Sequence, residues 1–156
     1  MKKLNYLWML GLLMFAAVSF SACSSDDDEP GSNSDLVGLW EVIADKGWEK
    51  VDGKIDAQWD QEGDEIGDKY QFEFKEDGTF FAYSNDGFDE ISGKATWKYK
   101  NGKIFLHSSQ YNIEVEFATV KELTSSRLVL ENYQTDNEDG EVWESWSLAT
   151  FKKINK

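Results

Sequence analysis

The chain has 156 residues, with 30 Asp and Glu against 16 Lys and Arg and a formal net charge of −14. That length suits one domain, and so acidic a surface repels the phosphates of nucleic acid. Aromatic residues at 15% and apolar residues at 40% exceed what a disordered chain carries. One His and one Cys exclude, within the chain, a multi-ligand His/Cys zinc site, an iron–sulfur cluster and a structural disulfide. No metal and no cofactor is expected.

Lys2 and Lys3 precede a nearly unbroken apolar stretch from Leu4 to Phe20, and the small residues Ser21 and Ala22 follow. This is the three-part pattern of a secretory signal peptide, residues 1–22, and the apolar run is at the short limit for spanning a bilayer. Cys23 comes directly after Phe20-Ser21-Ala22. The arrangement resembles the lipobox of bacterial lipoproteins, although Phe20 is larger than the aliphatic residue usual there. The resemblance implies a diacylated Cys23 at the mature N-terminus, and two acyl chains give stable anchoring to a membrane. Residues 24–29 (SSDDDE) read as a solvated linker, because like charges repel and cannot bury apolar area. They also resemble the acidic export signal behind the lipidated Cys of Bacteroidota surface lipoproteins. The expected location is therefore the outer membrane, lipid-anchored and exposed at the cell surface. Residues 23–35 form the tether, and 36–156 the folded domain.

After residue 36 no stretch sustains helical apolar spacing, whereas period-two alternation recurs. Tyr70, Phe72 and Phe74 alternate with Gln71, Glu73 and Lys75; Ala95, Trp97 and Tyr99 with Thr96, Lys98 and Lys100; Ile113, Val115 and Phe117 with Glu114 and Glu116. Each is a strand with one buried face and one wet face. The expected strands are 38–44, 69–75, 79–84, 93–100, 103–108, 113–121, 127–134 and 141–152. Asn101-Gly102 is a strong hairpin signal. In the last strand Val142, Trp143, Trp146, Leu148 and Phe151 do not share one parity, which predicts a bulge near Ser145 or Ser147. Eight antiparallel strands with neighbours paired predict an all-β, up-and-down barrel closed on itself. The links 76–78, 101–102 and 122–126 are tight, while 45–68, 85–92, 109–112 and 135–140 are on average longer. Alternate links share an end, so functional loops are expected at the second set.

Gly38-Leu39-Trp40 at the start of the first strand resembles the G-x-W motif of lipocalins, whose Trp closes the barrel bottom. The runs 36–43 (LVGLWEVI), 72–81 (FEFKEDGTFF), 93–106 and 151–154 (FKKI) are similar to the lipocalin-like domain of Bacteroidota surface lipoproteins. The resemblance covers nearly all of residues 36–154 and implies a long first connection folded over the mouth. It also implies a basic side chain near the last strand covering the Trp. The only arginine, Arg127, begins the seventh strand, so Lys152 or Lys153 would have to serve.

Catalysis finds little support. His107 and Ser108 are neighbours on a strand and point to opposite faces, so they cannot form a nucleophile–base pair. The chain lacks G-x-S-x-G, P-loop and G-x-G-x-x-G patterns. The acidic runs 60–65 and 136–141 miss the spacing of the known calcium loop and read as solvated turns. Inward-facing aromatic residues either fill a small barrel solidly or line a shallow pocket at its mouth. Trp48 and Trp59 fall in the first long connection, where tryptophan either stacks on a sugar or hydrophobic ligand or packs as a lid core. Phe88 and Tyr111, in the third and fifth links, complete the candidate ligand-binding set. The links 45–68, 85–92 and 135–140 hold fifteen acidic residues against Lys46, Lys50 and Lys54. Charge of one sign around a concave site concentrates its counterions and repels its own kind. The expectation is a binding module for a neutral or cationic small ligand, hydrophobic or glycan, at an acidic mouth. The alternative is an interaction subunit that meets a surface protein partner through its loops and has no cavity.

Overall fold

The alternation of apolar and polar side chains dictates a single closed sheet. The computed structural model describes residues 31–154 apart from 68, 85–94, 110 and 139. The signal peptide, Cys23 and Phe88 lie outside the described residues. In chain order come α1 (Asn33–Leu36), β1 (Gly38–Val51), β2 (Lys54–Glu62) and a 3₁₀ turn at Gly63–Glu65. They are followed by β3 (Tyr70–Phe74), β4 (Thr79–Ser84), β5 (Ala95–Lys100) and β6 (Lys103–Ser108). β7 (Ile113–Leu123), β8 (Arg127–Glu138) and β9 (Glu141–Ile154) complete the sheet. β1 pairs with both β3 and β9 and so closes an eight-stranded antiparallel up-and-down barrel from β1 and β3–β9.

β2 is an addition, and it corrects the sequence reading. Residues 45–62 are not a loop over the mouth: β1 runs on to Val51, turns at Asp52-Gly53 and returns as β2. Asp52 (φ 51) and Gly53 (φ 75) are both left-handed, the geometry of a tight two-residue hairpin turn. β8 and β9 also run past the barrel wall, so β2, β1, β9 and β8 form a four-stranded ribbon standing above the open end. A second correction concerns the bulge. β9 pairs with β8 without a register break from Arg127↔Lys152 to Glu138↔Glu141, and the extra residue lies in β1 between Val42 and Ala44.

Aromatic rings fill the barrel interior. Phe72 lies 5.2–5.6 Å, centroid to centroid, from Tyr70, Phe80, Phe117 and Phe151. Phe74 meets Phe80 at 5.1 Å and Trp97 at 5.6 Å. Trp40 seals the end with the tight turns. It is fully buried, and its indole N–H donates to the Leu36 carbonyl at 2.7 Å. Of the two candidate lysines it is Lys153 that covers it, with Nζ 5.0 Å from the ring centroid and donating to the Asp35 carbonyl at 2.8 Å. The glycine of the motif has a physical reason. Gly38 has φ 138, and a Cβ there would come 2.5 Å from the Lys153 stem.

Candidate functional site

The long connections and the ribbon place the candidate site at the open end. In β1 the inward-facing residues up to the bulge are Trp40 and Val42. The extra residue Ile43 then reverses the parity, so Asp45 and Gly47 continue the inner face and Trp48 turns outward. Register carries the inner face across the ribbon: Gly47 pairs with Trp59 and Ser147, and Asp45 with Gln61 and Ala149. Trp48 pairs with Gln58 on one side and Trp146 on the other, on the outer face. The two candidate tryptophans therefore lie on opposite faces of one ribbon, and the structure does not bring them together. Tyr111 sits apart from both on the β6–β7 connection, 53% exposed.

Sequence reasoning missed Asp45, the chemically distinctive group here. Its carboxylate is half-buried beside Tyr70, whose hydroxyl donates to Oδ2 at 3.3 Å. Oδ1 is fully buried and has no hydrogen-bond partner among the described residues. Burial pushes the Asp45 pKa up, and the Trp59 indole and Tyr70 hydroxyl offset part of that. Burial, then the neighbouring Asp45 charge, hold the Tyr70 hydroxyl well above the usual phenol range. An acid whose folded pKa is raised binds its proton more tightly folded than unfolded. Its ionisation thus costs stability, with no cost below the unfolded value and the full cost above the raised folded one. Among the described residues no lysine or arginine pairs with Asp45.

Trp59 stands over this carboxylate because Gly47 makes room for it. A Cβ at Gly47 would come 2.4 Å from the Trp59 ring. The inner face of the ribbon also carries Glu49 and, from β8, Asp136, so the mouth remains acidic although its charges sit on strands. Two grooves lie elsewhere, one of about 700 Å³ beside α1 and β5 and one of about 430 Å³ on the wall between β7 and β8.

This closed barrel with its Trp-sealed floor is the arrangement that the G-x-W resemblance implies, and the family profile described as "Lipocalin-like domain" matches residues 36–130. The chain belongs to the lipocalin-like domain family. Comparison with curated proteins gave no match. The match begins at Leu36, the residue whose carbonyl holds the Trp40 indole, and ends within β8. The fold of this lipocalin-like barrel suits a ligand-binding module. Aromatic rings occupy much of the lumen.

Proposed function

We propose that the protein is a lipid-anchored binding module of the outer membrane or cell surface, taking a neutral or cationic small ligand or glycan at the barrel mouth. The anchor rests on the lipobox resemblance at Cys23, and surface display on the acidic run after it. The observation that carries the ligand class is Asp45, a half-buried carboxylate with an unpaired oxygen beneath an indole and beside a phenol. A desolvated carboxylate gains most from a cation that brings both charge and donors, and an aromatic ring adds attraction to the same cation. An anionic ligand would meet Asp45, Glu49 and Asp136 on one face.

Displacement of a fluorescent apolar probe from the purified protein tests the reading with three matched ligands. At low salt octylamine should bind more tightly than octanol, and octanol more tightly than octanoate. Raising the salt should narrow the differences as charges are screened. Asp45→Asn should remove most of the amine preference and leave octanol unchanged. Tighter binding of octanoate at low salt would overturn the proposed selectivity. The anchor has its own check. Cys23→Ala should abolish metabolic palmitate labelling, and labelling that persists would refute the lipobox.

A second reading, an interaction subunit touching protein or glycan partners with no small-molecule cavity, draws support from the ring-filled lumen. Failure of all three octyl ligands to displace the probe would favour it.

A further inference from the structure

The mouth leaves the aromatic residues of the outer face unexplained. β7 and β8 are hydrogen-bonded from Thr119↔Glu131 to their turn. Toward the open end they part, and among the described residues no ladder joins 113–118 to 132–138. The parting leaves the groove of about 430 Å³, lined by Glu116, Phe117, Glu131, Asn132, Tyr133 and Trp146. The Asn132 side chain crosses the gap to donate to the Phe117 carbonyl. Tyr133 and Trp146 are register partners on adjacent strands and share the outer face with Trp48. Tyr133 is 56% exposed, and its ring meets Trp48 edge-on at 6.4 Å, which extends the aromatic surface away from the groove.

The charges of this groove differ from those of the mouth. Glu131 accepts from the Trp146 indole at 3.0 Å and from the Lys121 ammonium at 3.1 Å, which together hold its carboxyl below the usual range. Glu116 is paired with Lys103 at 2.9 Å. The Tyr133 hydroxyl donates to Glu144 at 2.7 Å. The two carboxylates of the groove lining, Glu116 and Glu131, are therefore each compensated by a lysine yet keep lone pairs to spare, since an ionised carboxylate can accept about four hydrogen bonds. The lining offers ring faces, oriented acceptors and no uncompensated charge. The volume falls within the roughly 300–1,000 Å³ of small-molecule sites.

We propose that the groove between β7 and β8 is a saccharide site, in which Tyr133 and Trp146 stack on a neutral pyranose and Glu131 and Glu116 accept its hydroxyls. A pyranose presents an apolar C–H face and a rim of donors, which match a ring beside an acceptor. A charged ligand would gain nothing from carboxylates already neutralised by lysines. A wholly apolar ligand would desolvate two ion pairs and replace none of their hydrogen bonds. A neutral ligand with many hydroxyls meets neither cost. The site is separate from Asp45 and stands whether or not the mouth binds a cation.

Isothermal titration of the purified protein with maltotriose, cellotriose and mannotriose tests the site. At least one should bind at millimolar concentration or tighter, and Tyr133→Ala should weaken that binding at least tenfold. Tyr133→Phe keeps the ring and should retain most of it, and Glu131→Gln should weaken it while leaving the urea midpoint near that of the parent. Binding that survives Tyr133→Ala but is lost in Trp59→Ala would move the sugar to the mouth and overturn the proposal. Silence from all three sugars at millimolar concentration would overturn it too. So would amide protection of 132–138 by an extended peptide without saccharide binding, which would make the groove a strand-addition slot.

Discussion

Trp40→Ala should lower the unfolding free energy by about 3–5 kcal/mol in a urea titration, the usual cost of removing a large buried aromatic side chain. Trp40 is fully buried at the closed end, so truncation leaves a cavity that the surrounding strands cannot readily fill. Loss of the indole also strands the Leu36 carbonyl, its hydrogen-bond partner in a residue that is itself fully buried. The Lys153 ammonium, 5.0 Å above the ring, loses its aromatic partner as well. Trp40→Phe separates these effects. It keeps most of the ring volume and removes the donor with a small part of the ring, for an expected loss of about 1–3 kcal/mol, the range for leaving a buried acceptor unpaired. A loss below about 1 kcal/mol for the alanine variant would mean that this ring does not seal the barrel.

The barrel was legible because most of its strands alternate cleanly. Phe72, Phe74 and Phe80 are buried as the alternation requires, and Asn101-Gly102 turns with both residues left-handed. β2 was illegible for a physical reason. It is an added strand whose pattern is mostly exposed, and Lys54, Asp56, Asp60 and Glu62 mask the weaker alternation of Ile55, Ala57 and Trp59. Such charges keep an exposed strand from pairing with other chains, and in composition they look like a loop. The usable signal was Asp52-Gly53, the same kind of two-residue turn as Asn101-Gly102.

The candidate site was harder to read than the fold, because one residue decides it. Were β1 regular, Ala44, Lys46 and Trp48 would follow Trp40 and Val42 inward. The bulge at Ile43 sends Asp45 and Gly47 inward and Trp48 out. No residue type in 42–45 demands a bulge, so parity cannot be carried through this stretch from sequence alone. The mixed parity of β9 has a related origin. Trp143 and Phe151 face the inner side while Val142, Trp146 and Leu148 face out, because that part of β9 belongs to a ribbon with apolar groups on both faces.

Gly47→Ala tests the same geometry directly and should destabilise by about 1–3 kcal/mol, the cost of forcing a methyl group into a packed site. In most strands a glycine replaced by alanine loses nothing, and a compatible site gains about 0.4–1 kcal/mol through the unfolded chain. Here the new Cβ would come 2.4 Å from the Trp146 carbonyl oxygen and 2.4 Å from the Trp59 ring. The carbonyl belongs to β9 beside the Gly47↔Ser147 pair, so relieving that clash means parting β1 from β9 at the root of the ribbon. The ring projects from a strand paired on one side and can yield, which would uncover Asp45. The two contributions are separable by a double-mutant cycle with Trp59→Ala. In that background the cost of Gly47→Ala should shrink by a coupling of about 0.5–3 kcal/mol, as for side chains in direct contact. It should not vanish, because the carbonyl contact remains. Gly67→Ala is the matched control, since nothing lies within 4 Å of its added Cβ and its φ is not positive. If urea titration finds Gly47→Ala as stable as Gly67→Ala, the Trp59 ring does not rest on β1, and its placement over Asp45 is wrong.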